Sequence, residues 1–378
     1  MPRNILIIGV DLKNALALND LFTSLTQTDW TLIFNSSQTE MKDFCKEKKY
    51  ACIRSLLLAQ KAKLSYPLSL LFLPFLWAGA FFSLLLFKFK HRINAIICLG
   101  QTEKILITPW ALLFGIKIIW LECPGQNTET TGKIARFLMK RFHSSVRIAA
   151  FDSKTKNRLT KAGWQMEKIR LIRPGINHEQ RLRQENIFHD LAHTRNSSQK
   201  NNFFTIGTIA DLDKEQEVEI ILGAAKKALN VIPNLQIIII GDGADKKNLN
   251  WLAKKMDLGN LVWFVGRQTH LHKWLDSFNI FITAAKDATL ADIKALLHAL
   301  SSGIPAIAPQ NRGFDDVILD NTNGLLIESF DSDLIANAII RLHQDQGLAK
   351  KLGQNAKKDI SEKFTDKNMA ADFIETIQ

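Results

Sequence analysis

The sequence predicts an α/β protein built from two doubly wound parallel-sheet domains in tandem. Three observations carry that expectation. Apolar runs of strand length alternate with segments of helical periodicity in both halves of the 378-residue chain. The alternation stops at a polar stretch over 178–201 and then restarts. Glycine-bearing turns close several runs, as where a strand of an open sheet hands over to a helix.

In the first half the strand runs are "NILIIG" (4–9), "TLIFNS" (31–36), "NAIICLG" (94–100), "KIIWLE" (117–122) and "VRIAAFD" (146–152). A helix is expected over 132–145, and Ser153 is read as the cap of the helix "KTKNRLTKAG", before "KIRLIRPGIN" (168–177). The segment "HEQRLRQENIFHDLAHTRNSSQKN" is polar and ends in a Ser/Asn/Gln cluster, which suits a linker. The second half supplies "FFTIGTIA" (203–210), "LQIIIIGDG" (235–243), "LVWFVG" (261–266), "IFITAA" (280–285), "PAIAPQ" (305–310) and "GLLIE" (324–328). Between them lie helices with apolar stripes at Val218, Ile221, Leu222 and Ala225, and at Ile293, Leu296, Leu297 and Leu300. The boundaries expected are a first domain over 1–178, a linker over 179–201, a second domain over 202–362, and a C-terminal helix over 363–378 that returns to the first domain. Sheets of this type bind ligands beyond the carboxyl ends of their strands, so two of them facing each other would frame a cleft.

Composition excludes several classes. At 46% hydrophobic and 23% charged residues the chain is an ordinary globular protein. Its four cysteines (Cys45, Cys52, Cys98, Cys123) lack C-x-x-C spacing, which points to reduced packing residues and no zinc site. The net charge of +12 is uneven: residues 1–200 hold 30 Lys/Arg against 14 Asp/Glu, the remainder 19 against 23. No acidic residue lies between Glu47 and Glu103. The basic half therefore suits a polyanion, and anionic lipid fits better than nucleic acid, because no reading motif and no interleaved stacking aromatics occur. The N-terminus does not read as a signal peptide, since its short apolar run is followed by Asp11 and Lys13.

Residues 65–87, "SYPLSLLFLPFLWAGAFFSLLLF", carry no charge and are flanked by Lys61, Lys63, Lys88, Lys90 and Arg92. A bilayer span would separate strands expected in one sheet, and Pro67 and Pro74 would interrupt a single helix. The expectation is a monotopic element lying on an anionic surface, with an internal helix pair and a true span as the alternatives.

Two turns of the second half, "IGTIADLDKEQE" and "IGDGADKKNL", place Gly207, Gly241 and Gly243 where backbone amides could approach a phosphate, with Lys246 and Lys247 at a helix start. Gly9 follows the first strand, but the G-x-G-x-x-G fingerprint is absent. No nucleophile elbow, H-E-x-x-H or Walker sequence occurs, and no metal site is expected.

The order of segments resembles the family 4 retaining glycosyltransferases. The stretches that carry the resemblance include "IGTIADLDKEQE", "LGAAKKAL", "IIIIGDGADKKNLNWLAKKMDLGNLVWFVG", "WLDSFNIFITAA", "ALLHALSSGIPAIA", "GFDDVILDNTNGLLIE" and "LAKKLGQNAKKDISEKFT", together with "RIAAFDSKTKNRLTKAGWQMEKIRLIRPGIN" in the first half. It covers the chain from about residue 94 and matches residues 1–93 in layout alone. The resemblance implies a GT-B fold and transfer of a sugar from a nucleotide-sugar to an acceptor, without an obligatory metal or other cofactor. It also implies that cations stabilise the departing diphosphate and that two glutamates hold the donor.

Carried over position by position, that donor site is depleted. Asp211 stands where the family has an arginine, and Gln216 where it has a lysine. The glutamate pair falls on Leu290 and His298, with Asp287 as a substitute if the loop carries an insertion. Asp316 keeps an acid where the family often has a glutamate. In the first domain, where the resembled turn has histidine beside glycine, this chain reads Glu122-Cys123-Pro124-Gly125. An aspartate in place of an arginine at a diphosphate contact turns attraction into repulsion, on the order of a few kcal/mol at about 4 Å near a surface. Lys214, Arg267, Lys286 and Lys294 are the replacement cations to consider, and Gly207, Thr208, Lys214, Gly241, Gly243, Arg267, Asp287, His298 and Asp316 the donor-binding candidates. Gly9, Glu122 and Gly125 are the candidates on the first domain. Two functions compete. One is a divergent transferase acting on a lipid-linked or cell-surface polysaccharide acceptor, cytoplasmic and peripheral to the inner face of the membrane. The other is a catalytically silent relative that serves as scaffold or partner; a GT-B enzyme of another kind, such as an epimerase, is the remainder.

Overall fold

The computed structural model describes residues 3–36, 38–53, 73–125, 137, 139–142, 144–177, 203–214, 216–268 and 270–377. The expected linker lies outside them, as do Pro67 and most of the helix expected over 132–145. The chain divides into two compact units, Met1–Arg173 with Met369–Gln378, and Pro174–Asn368.

The first unit carries strands β1 (Arg3–Ile8), β2 (Trp30–Asn35), β3 (Ala51–Ile53), β4 (Ile93–Cys98), β5 (Lys117–Glu122), β6 (Arg147–Ala150) and β7 (Ile169–Leu171), in the order β3-β2-β1-β4-β5-β6-β7. Every pairing is parallel. The second unit orders β10 (Val262–Gly266), β9 (Leu235–Ile240), β8 (Phe204–Ile209), β11 (Ile280–Ile282), β12 (Ala306–Pro309) and β13 (Leu325–Ile327) in that sequence, again all parallel. Each sheet is thus a Rossmann-like, doubly wound layer. The near-continuous Ile/Leu runs follow from burial on both faces: Ile237 and Ile239 face one helical layer, Ile238 and Ile240 the other.

Local chemistry sets the helix ends, with one correction. Asp152, not Ser153, caps helix Ser153–Lys161: the Thr155 amide donates to Asp152 Oδ1, and Thr155 Oγ1 donates to Oδ2 at 2.9 Å. Asp152 is buried where β6 hands over to the helix, so its carboxylate reaches the free amides that Ser153, already helical, cannot. The C-terminal helix Asp366–Ile377 ties its last turn to the first unit, where Arg147 Nη1 donates to the Thr376 carbonyl at 2.9 Å and Arg170 pairs with Glu375.

The apolar segment resolves into helix Leu73–His91 over its described part. Pro74 is the second described residue of this helix, and Pro67 lies outside the described residues. Ala80, Leu84 and Phe87 enter the core of the first unit. Phe75, Phe82, Leu86 and Phe89, spaced so as to share the other side, are 59 to 75% exposed. Lys88, Lys90 and His91 fill the last turn. Among the described residues, no helix is long and apolar enough to cross a membrane.

Candidate active site

In a parallel sheet all carboxyl ends lie along one edge, so loops distant in sequence become neighbours there. In the second unit that edge collects the residues after β8 (Asp211 to Glu217), β9 (Gly241 to Asp245), β10 (Arg267), β11 (Thr283 to Thr289) and β12 (Gln310 to Asp316).

At three of the glycines the fold leaves no room for a side chain. A Cβ on Gly207 would meet the Phe278 ring at 2.0 Å, so this buried residue belongs to the core. A Cβ on Gly241 would stand 1.8 Å from the Ala210 carbonyl oxygen, and one on Gly243 2.2 Å from that of Leu212. The turns after β8 and β9 are laced together at these points, Ala210 N donating to Ile240 O at 3.0 Å and Asp245 N to Leu212 O at 2.9 Å. The space beside the α-carbons of Gly207, Gly241 and Gly243, where a side chain would stand, is therefore filled by protein.

The charged candidates pair with one another. Arg267, offered as a replacement cation, reaches Asp211 at 3.8 Å, so the acid in the resembled arginine position is partly answered by a base from the next-but-one strand. Lys246 lies 3.5 Å from Asp242. Lys214 and Lys286 are exposed, and Lys294 is half-buried. Leu290 opens helix Leu290–Ser301 at 3% exposure and offers a ligand no polar atom. Thr289 caps that helix and exchanges hydrogen bonds with Asp292, which fixes the loop carrying Asp287. His298 is half-buried two turns further on, and its carbonyl accepts from Ser301 Oγ and Ser302 Oγ. Asp316 is exposed.

Uncharged polar groups along the same edge are short of partners. Thr208 Oγ1, at the end of β8, Gln216 Oε1 and Thr283 Oγ1, just past β11, are buried without a hydrogen-bond partner among the described residues. Buried polar atoms are normally satisfied, and these three lie near the carboxyl ends of β8 and β11, Thr208 on the face of Ile239 and Thr283 next to Ile282, which shares that face, and so on the other side.

The sequence reading missed Arg312 and Glu217. Glu217 precedes helix Val218–Ala228 in a left-handed conformation, φ 42°. Arg312 Nη1 donates to its Oε2, and the guanidinium lies 5.4 Å from the Phe330 ring centroid. The one signal available was position: Arg312 stands two residues past an expected strand, in the loop that holds Asp316.

On the first unit, Gly9 and Glu122 lie at the carboxyl edge of that sheet, and Gly125, exposed, follows in the turn after β5. Glu122 does not open into a cleft. It is 1% exposed, and Lys104, itself fully buried, donates to its Oε1 at 2.7 Å and to the Leu121 carbonyl at 3.0 Å. Burial raises the Glu103 carboxyl above its ordinary value and pushes the Cys123 thiol up to about 12, so this cysteine is an inert packing group. All four cysteines are free thiols.

Two Rossmann-like parallel-sheet units with polar and charged groups gathered at a carboxyl edge define the GT-B class of fold. Residues 192–359 match the family described as Glycosyl transferases group 1. Over its whole length the chain is similar in fold to Anabaena HepE, crystallised with UDP, at a TM-score of 0.79 and 15% identity, covering 100% of this chain and 99% of that one. In sequence it is 24% identical over 169 residues to the N-acetyl-alpha-D-glucosaminyl L-malate synthase of Bacillus anthracis, 45% of this chain and 43% of that protein. It is 21% identical over 151 residues to the lipopolysaccharide core biosynthesis glycosyltransferase LpsE of Rhizobium meliloti, 40% and 44%. The aligned stretch therefore spans less than half the length of these curated relatives.

Proposed function

We propose that the chain is a glycosyltransferase that moves a sugar from a nucleotide-sugar, with retention and without a metal, to a lipid-linked or cell-surface polysaccharide acceptor. The donor would sit at the carboxyl edge of the second unit and the acceptor on the first. The bond from the sugar's anomeric carbon to the diphosphate oxygen breaks, its electron pair staying with the diphosphate. The acceptor hydroxyl oxygen bonds that carbon and gives up its proton to the departing diphosphate oxygen. The observation that carries this reading is the match of residues 192–359 to Glycosyl transferases group 1, on a parallel sheet of the kind that binds ligands at its carboxyl edge. UDP bound in HepE and the part of LpsE in lipopolysaccharide core biosynthesis support it. The test is calorimetric titration with UDP-, GDP- and ADP-sugars. Binding of at least one is expected, with affinity in the micromolar to millimolar range common for enzyme substrates; absence of heat with all of them, and of any thermal shift with the free diphosphates, would sink it.

Asp211, Gln216, Leu290 and His298 favour a second reading, a catalytically silent relative, and Leu290 in the core favours it most. Donor binding without sugar transfer to any acceptor extract would select that reading.

The basic, apolar side of helix Leu73–His91 supports a membrane-facing role for the first unit. The double variant F82E/L86E is expected to abolish co-sedimentation with vesicles containing anionic lipid, because each glutamate adds a charge that the lipid repels and removes an exposed apolar contact. Wild-type protein that stays in the supernatant would end this part of the proposal.

A further inference from the structure

We propose that Arg312 is the residue that contacts the donor's diphosphate, and that Glu217 is the positioning residue that holds it there. The inference rests on the donor reading above and assigns a residue to a role left open by Asp211 and Gln216.

The argument begins from what a cation needs in order to act on a leaving oxyanion: a fixed place, partial removal from water, and donors left to give. Lys214 and Lys286 are exposed, Arg267 is 77% exposed and bound loosely to Asp211, and Lys246 leans on Asp242. Arg312 differs on each count. Its side chain is 24% exposed. Glu217 fixes one end of the guanidinium and the Phe330 ring lies beside it. Its backbone is fixed as well, because Ala288 N donates to the Arg312 carbonyl at 2.9 Å and Asn311 N to Asp315 Oδ1 at 3.1 Å. A guanidinium has five N–H donors, and the ion pair uses Nη1.

Placement supplies the second half. Glu217 is the immediate neighbour of Gln216, the position of the missing lysine, so the Arg312 side chain spans from the loop after β12 to the loop after β8. Its backbone partner Ala288 lies in the loop after β11. One arginine thus joins the loops after β8, β11 and β12, the first of which holds Gln216 and the second Thr283. The loss of cations at 211 and 216 is answered from another strand, and a carboxylate that fixes an arginine without covering all its donors is a familiar way to hold a phosphate-binding group ready.

The test is titration of wild type, Arg312→Gln, Arg312→Lys and Glu217→Gln with UDP, GDP and ADP and, in parallel, with uridine, guanosine and adenosine. For the base that binds, Arg312→Gln is expected to weaken the diphosphate by at least about tenfold, the effect of removing charge-assisted hydrogen bonds, while leaving the nucleoside within about twofold. Arg312→Lys should restore part of the loss. Glu217→Gln should weaken the diphosphate by less than Arg312→Gln does, since the arginine keeps its charge but loses the carboxylate that fixes it, and should leave the nucleoside within about twofold. If Arg312→Gln does not fold, Arg312→Lys carries the test, with weaker diphosphate and unchanged nucleoside. A wild type that binds no diphosphate overturns the donor reading and this inference together. A wild type that binds, with arginine variants that weaken diphosphate and nucleoside alike or leave both unchanged, or with Glu217→Gln no weaker than wild type, overturns the inference alone and leaves the donor reading standing.

Discussion

Lys104→Ala is expected to destabilise the first unit by about 3–5 kcal/mol, among the largest effects of any single substitution outside the glycine turns. Lys104 is fully buried, donates to Glu122 and Leu121, and lies 6.0 Å from the Trp120 ring centroid. Trp120 Nε1 in turn donates to Thr108 Oγ1 at 3.1 Å. Truncation leaves the Glu122 carboxylate in the core without its counter-charge, and its Oε2 already lacks a partner among the described residues. The cost is therefore that of an unpaired buried charge and not that of a lost contact. The double variant Lys104→Met/Glu122→Leu, which removes both charges and fills the volume, is expected to recover most of the stability. Urea denaturation of the four corners of this cycle decides it. A single variant within 1 kcal/mol of wild type, by the ordinary scale of surface substitutions, would mean that the pair is not charged and buried as described.

Lys104 also marks the limit of what the sequence makes legible. The strands were legible because burial on both faces leaves runs such as "LQIIIIG" with nothing polar in them, and the order of such runs implied two tandem sheets. β3 escaped because Ala51–Ile53 is three residues long and exposed to half-buried, so it leaves no run. Gly207, Gly241 and Gly243 were located correctly as points of close approach, but a glycine does not say what approaches: here it is Phe278, Ala210 and Leu212. The candidate site was legible as losses and not as compensations. Asp211, Gln216, Leu290 and His298 can be counted along one sequence against a resembled pattern. Arg312 and Lys104 cannot, because a cation in a turn or on a helix reads as a solvated side chain until a partner from another strand is placed against it.

Asp211→Asn is expected to raise affinity for the cognate nucleoside diphosphate by about tenfold, an increment of roughly 1.4 kcal/mol. The aspartate stands in the loop after β8, 37% exposed, two strands from the loop of Arg267, with its Oδ1 3.8 Å from that guanidinium. If a diphosphate binds along this edge, Asp211 acts on it in two ways of the same sign. It repels the phosphates directly, by about 1–4 kcal/mol per unit charge at contact distance between the limits of water and a protein surface. It also engages Arg267, whose charge would otherwise add to the attraction. Asparagine keeps the shape and removes both effects. Exposure moderates them, so the expected gain lies at the lower end of that range, and because the groups are solvated it should shrink at high salt, where the screening length is near 3 Å at about 1 M. The nucleoside without phosphates should bind wild type and variant equally. An unchanged or weaker diphosphate affinity in Asp211→Asn would place the phosphates away from β8 and remove the main physical ground for treating the substituted positions as a defect. A gain would show that this edge still receives a diphosphate and that its affinity has been lowered by a specific charge, which separates a weakened donor site from an abandoned one.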